Sequence, residues 1–221
     1  KQKQGRFAYK RGRVPRQTGV VARNEGGLPR QRQVVARNIA GRVFLRNFQA
    51  MQQPSPEEYA QYYGTYINKV PEGNLFQIME TTNEQTTALL NGLSEKQALH
   101  RYAEGKWSIK EVIQHLIDGE RVFQYRALRF ARADTTDLPG YDHDSYVTQS
   151  KADFRTMHEL VEDFRAVRKA TIQLFRSMTD EMLLRKGTAN GNKQTVRAIA
   201  FVIVGHEIHH INVIKEKYLH G

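Results

Sequence analysis

The 221-residue chain contains no cysteine. That absence excludes disulfides, thiolate–metal ligation and a cysteine nucleophile, so any metal must rest on histidine nitrogen and on oxygen. Long apolar runs are missing too. The longest, "AIAFVIV" from Ala198 to Val204, is far short of the roughly 20 residues needed to cross a bilayer. No charged-then-apolar leader opens the sequence, and a soluble cytoplasmic protein is the expectation. Acids are almost absent from residues 1–50, which hold 13 Lys and Arg against one acid, Glu25. The remaining 21 bases meet 22 acids, so the formal +11 divides into +12 for residues 1–50 and −1 for residues 51–221. A nucleic-acid-binding domain carries its excess bases on the folded surface. The larger part of this chain has no such excess, so neither specific nucleic acid nor membrane is an expected partner.

Residues 1–50 show no sustained period and contain an imperfect repeat, "PRQTGVVARNEGGL" at Pro15 followed by "PRQRQVVARNIAGR" at Pro29. Two polar copies are too few to stack as a solenoid. The segment reads as a basic tail, as a disordered one, or as an extension that is not native protein, resembling translated upstream DNA. The last reading makes Met51 the functional start, with a second unit over residues 51–221.

From there the pattern is helical. In "PSPEEYAQYY", Ser55 is an expected N-cap with Pro56 at the first helical position. A helix is predicted from about Asn74 to Asn91, its stripe formed by Leu75, Ile78, Met79, Thr82, Thr86, Leu89 and Leu90. The next opens with Ser108 and Glu111 as a capping box and runs to about Arg132. A third is predicted from Ala152 to Met178, with Phe154, Met157, Val161, Phe164, Val167, Thr171, Leu174 and Phe175 inward. The fourth spans about Thr195 to Tyr218, after the turn-rich "GTANGNKQ". Four amphipathic helices and no convincing strand predict an all-α four-helix bundle. The roughly 19 residues between the second and third helices, at about 3.3 Å each, can run the length of the bundle and leave those two helices parallel.

The fourth helix carries "GHEIHH", Gly205 to His210. His206 and His210 lie one turn apart on or beside its core face, while His209 points towards the rim. Two such imidazoles can hold one divalent metal. His115, beside the apolar stripe of the second helix, supplies a third, and three histidines leave an open tetrahedral position of the catalytic kind. Asp118, three residues later, and Glu120 are the candidate catalytic carboxylates. Glu120 falls on the inward stripe, where an unpaired carboxylate would be costly. It could pair with arginine (Arg126 and Arg129 are candidates, although both are expected on the solvated surface), orient a ligand, or touch substrate. Glu111 is explained by the capping box. The H-E-x-x-H reading of His206, Glu207 and His210 lacks a further histidine, since position 216 is Glu216, and no strand is expected to bind a peptide. Glu207 therefore reads as incidental.

The segments "GKWSIKEVIQHLIDGERVFQYRALRFAR", "LPGYDHDSYV", "FRAVRKAT", "GTANGN" and "GHEIHH" together resemble the DinB/YfiT-like superfamily over about Ser55 to Tyr218. The resemblance implies an up-down-down-up bundle with an interior metal held by residues matching His115, His206 and His210. It also implies thiol-dependent transferases and isomerases using bacillithiol, mycothiol or glutathione. The expected activity is thus metal-dependent transfer of bacillithiol or another low-molecular-weight thiol to a small electrophile. The alternatives are hydrolysis by metal-activated water and a non-catalytic metal-binding or stress-associated bundle. Zinc or nickel is the expected metal, and a small molecule and a second copy of the chain, as a homodimer, are the expected partners.

If Met51 is the functional start, a chain of residues 51–221 should match the full chain in melting temperature and metal content. A large drop in either, read by thermal melting and elemental analysis, would place residues 1–50 inside the working unit.

Overall fold

The computed structural model describes residues 51–219; the basic segment before Met51, and the unit boundary expected there, lie outside the described residues. The described chain is mostly helical. A short 3-10 turn at Pro56–Glu58 is followed by another at Gln61–Tyr63, then by α1 (Gly64–Ile67), α2 (Leu75–Asn91) and α3 (Glu95–Ala98). Next come α4 (Ile109–Ala131), α5 (His143–Ser150), a 3-10 turn at Ala152–Phe154, α6 (Met157–Arg176) and α7 (Asp180–Leu184). Strands β1 (Lys186–Ala189) and β2 (Asn192–Thr195) lead into α8 (Val196–Val213), which continues as π-helical turns over Ile214–Leu219.

Each long helix begins where a side chain satisfies its free amides. The Asn74 side chain accepts from the backbone N–H groups of Phe76 and Gln77 at the start of α2. Ser108 and Glu111 form the expected box at the start of α4. The expected third helix is not continuous. Lys151 takes a left-handed conformation (φ 54°), and a second capping box, Thr156 with Glu159, starts α6 afresh. The T-x-x-E pattern is the sequence signal for that restart. Phe154, read as inward-facing, lies before it and is 89% exposed.

The absence of strands also needs correction. Asn190 and Gly191 have φ of 51° and 71°, the two positive values of a type I′ turn, and they join β1 to β2 as an antiparallel hairpin. The crossover is fastened to this hairpin, since the Leu138 N–H donates to Thr188 O (3.0 Å) and the Asn190 N–H to Leu138 O (2.9 Å). That crossover contains α5 and is not simply extended chain.

Helix α4 packs on α6 and α8, and α2 packs on the same two. Links between α4 and α6 ascend together: Lys110 Nζ donates to Arg155 O (2.6 Å), Arg121 Nη2 to Asp163 (3.3 Å) and Gln124 Nε2 to Val167 O (2.9 Å). The two helices therefore run in the same direction. Links from α4 to the C-terminal helix run oppositely, His115 meeting His206 while Trp107 O accepts from the Tyr218 hydroxyl. Two apolar clusters fill the interior. One centres on Leu75, Met79, Phe130, Phe175 and Ile199, the other on Ile113, Ile117, Leu160, Phe164 and Ile214.

A charged group lies deep in the bundle. Arg168 on α6, 1% exposed, grips Glu120 of α4 through Nε (2.9 Å) and Nη2 (2.8 Å) and donates Nη1 to Glu207 of α8 (2.7 Å). Hydroxyls complete the carboxylates: Thr171 donates to Glu120 (2.5 Å), and Thr82 (2.8 Å) and Thr86 (2.7 Å) donate to Glu207. Burial works against the Arg168 charge, but Glu120 and Glu207 outweigh it and hold its pKa above the ordinary value. Removing one member leaves buried charge unpaired. Arg168→Met is therefore expected to cost about 3–5 kcal/mol in urea unfolding. Replacing all three with apolar residues should recover most of that loss. A single variant that unfolds at the wild-type midpoint would show that the group contributes nothing.

Candidate metal centre

The imidazoles of His115 from α4 and His206 and His210 from α8 come together near the second apolar cluster. Their ligand nitrogens lie within 4.8 Å of one another, and Nε2 of His115 is 3.0 Å from Nε2 of His206. His115 and His206 are 8% and 7% exposed. The sequence places them there through two apolar helix faces: Ile113, Leu116 and Ile117 flank His115, while Ile203 and Ile211 flank the α8 pair. Gly205 permits the fit on the other side. A Cβ on Gly205 would stand 2.1 Å from Tyr66 O, so only glycine lets α1 lie against α8. The Tyr66 ring then packs edge-on to His206 (5.1 Å between centroids) and to His209 (5.5 Å). His209 is half-buried and lies outside the three-nitrogen cluster.

Burial sets the protonation state. It is the main reason the His115 pKa falls to about 4 and that of His210 to about 3, with nearby imidazoles adding to the effect. Burial also takes His206 well below its ordinary value, helped by His210 and His115. Neutral imidazole is the ligating form. A zinc ion about 2.0–2.1 Å from each nitrogen, in tetrahedral array, needs nitrogens about 3.3 Å apart. The observed cluster brackets that spacing. Three neutral nitrogens, with no thiolate possible in the chain, suit a borderline cation such as zinc or nickel.

Around the centre stand residues that the sequence reading did not single out. Trp107, the only tryptophan, tilts over His115 (4.9 Å), and His143 at the start of α5 lies 5.7 Å from the same ring. A cavity of about 350 Å³ opens against His210, bounded by Tyr102, Trp107, Asp144, His209 and Tyr218. The short spacing of aromatics in "YAEGKW" and the histidine of "YDHDSY" were the available signals.

Of the candidate carboxylates, Glu120 is held by Arg168 and Thr171, neither Arg126 nor Arg129 being its partner. Arg129 instead bonds Asp134 and Tyr125. Asp118 is half-buried and accepts from Gln114 (3.0 Å), and burial raises its pKa. Glu207 has Thr82 and Arg168 on one oxygen and Thr86 on the other, on the side facing α2 and α6. Arg168 itself falls on the inward stripe of α6 between Phe164 and Thr171, which made it legible as a buried partner.

A helical bundle that closes three neutral imidazoles between two of its helices defines a class of candidate metal-binding proteins. The chain belongs to the DinB superfamily, whose family model matches residues 78–214 and so contains all three histidines. It is 22% identical over 140 residues to a protein of Oceanobacillus iheyensis named as a candidate metal-dependent hydrolase, covering 62% of this chain and 79% of the relative. The fold is similar to that of YfiT from Bacillus subtilis, described as a candidate metal-dependent hydrolase with an unusual four-helix bundle topology. The TM-score is 0.58 at 19% identity, over 64% of this chain and 82% of that one.

The depressed histidines give a signed pH effect. In the unfolded chain they titrate near 6.5, while in the fold they stay neutral to about 4 and 3. Between those values the unfolded state binds more protons, so metal-free protein should lose stability as pH falls from about 6.5 towards 4. Thermal melting across that range should show the fall, and His115→Gln with His210→Gln should flatten it. An unchanged slope in that variant would assign the effect to other groups.

Proposed function

We propose that the protein is a metal-dependent enzyme acting on a small molecule. In this reading a divalent cation, zinc or nickel, sits inside an up-down-down-up bundle on His115, His206 and His210. The observation that carries the reading is the convergence of three neutral imidazoles beside a cavity of about 350 Å³. The ascending α4–α6 links and the opposed His115–His206 and Trp107–Tyr218 links support the helix order.

A cation held by three histidines supplies a Lewis acid and lowers the pKa of a water or thiol that reaches its open position. The chain's own residues do the rest. Burial keeps the imidazoles unprotonated, and Trp107 and Tyr66 cover the ring faces against bulk water. The cavity admits a small ligand on the His210 side. Glu207 is committed to Arg168 and two threonines, which removes the base that a peptidase reading of H-E-x-x-H requires. Both relatives are described as metal-dependent hydrolases, so hydrolysis of a small ester or amide is the leading chemistry. Transfer of an external thiol uses the same open position and comes second. Asp118 and Glu120 remain proposed contributors, Asp118 through its raised pKa and Glu120 through the placement of α4.

The test is a zinc-loaded chain offered activated esters and amides without thiol and, in parallel, glutathione or bacillithiol with a bimane probe. Thiol-independent hydrolysis should appear and drop at least 100-fold in His115→Ala, together with zinc content, whereas His209→Ala should change both far less. Conjugation without hydrolysis would make thiol transfer the function. Full zinc occupancy with neither activity would leave a metal-binding bundle.

A further inference from the structure

Arg126 lies on α4 two turns beyond Gly119 and is 4% exposed. A buried guanidinium ordinarily meets a carboxylate. Arg168 does so twice, yet among the described residues no carboxylate forms an ion pair with Arg126. Its recorded contacts are neutral. Nη2 donates to Pro139 O in the crossover (3.2 Å), and the guanidinium carbon stands 5.7 Å from the centre of the Phe123 ring. Two phenols complete the surroundings. Burial raises the pKa of Tyr63 and of Tyr141; the Arg126 charge opposes that rise at both, and at Tyr63 a hydrogen bond between the two side chains does so as well. Asp118, whose charge reaches Tyr141, is engaged by Gln114 and Arg121.

The Phe123 ring stands between this cation and the histidine centre. The Phe123 ring lies 6.2 Å from that of Tyr63 and 6.5 Å from that of His206. A Cβ placed on Gly119 would stand 3.5 Å from both the Tyr141 hydroxyl and Cε1 of His206, so Gly119 packs between them. Tyr63 and Tyr141 are part-exposed.

We propose that Arg126, with the hydroxyls of Tyr63 and Tyr141, forms an anion subsite that takes the carboxylate of the substrate. The guanidinium edge presents parallel N–H donors matched to the two oxygens of a carboxylate, and the phenols donate further hydrogen bonds. One cation balances one negative charge. A phosphate dianion would keep a second charge uncompensated in a buried place. The inference deepens the proposed function by naming its substrate class, a small ester or amide that also carries a free carboxylate, and rests on that reading only for where the scissile bond lies.

Binding to the EDTA-treated full chain tests the subsite without any metal. N-acetylglycine should bind at least tenfold more tightly than its neutral amide, N-acetylglycinamide, by calorimetry or ligand-observed NMR. Arg126→Gln should abolish that preference, and Tyr141→Phe, which keeps the ring, should reduce it about threefold at unchanged melting temperature. Equal affinity for acid and amide in the wild-type chain would overturn the proposal whatever the variants do. So would tighter binding of inorganic phosphate, or an acid preference that survives Arg126→Gln. Zinc stoichiometry, measured separately by equilibrium dialysis, keeps the two readings apart. Acid preference without zinc binding defeats the metal enzyme alone, and zinc binding without acid preference defeats the subsite alone.

Discussion

The fold turns on one buried guanidinium. Arg168 ties α6 to α4 through Glu120 and to α8 through Glu207, while the threonines that complete Glu207 belong to α2. Four helices thus share one charged knot at a depth where water cannot substitute for a lost partner. Glu120 lies five residues after His115, and Glu207 is the residue next to His206. Turning either helix by one residue, about 100°, would break the knot and swing a histidine out of the cluster together. Packing of Leu and Ile would tolerate many small rotations; a bidentate arginine tolerates few. The histidine geometry therefore depends on an ion pair that touches no ligand.

Adjacent residues on α8 do opposite jobs. His206 faces α4 and the other imidazoles, while Glu207 faces α2 and α6. The H-E-x-x-H string, read as a linear motif, merges two separate constructions. Its glutamate belongs to the scaffold.

The sequence disclosed most of what local rules govern. Asn74 and the Ser108–Glu111 box marked helix starts, and i, i+4 spacing put His206 and His210 on one face. The break before α6 was equally local but was hidden by a stripe that continued through Phe154, although Thr156 and Glu159 announced a new start. The Asn190–Gly191 turn similarly carried a hairpin signal outweighed by the polarity around it. Pairing across the bundle was less legible. Arg126, Arg129 and Arg168 look alike on a helical wheel, and which of them meets Glu120 depends on the distance between helices, which no spacing rule contains. The same blindness hid Tyr66 and Tyr141, brought to the histidines by segments remote in sequence, whereas Trp107 stands just before the start of α4, close in sequence to the His115 it covers.

The crossover between α4 and α6 supplies Pro139, Tyr141, His143 and Asp144 to the surroundings of the centre, while its own helix, α5, is only eight residues long. The three histidines sit on helices locked by Arg168; these crossover residues do not. Inheritance can then act on the two parts at different speeds. Substitutions in the crossover can change what surrounds the nitrogen cluster while the cluster itself stays fixed.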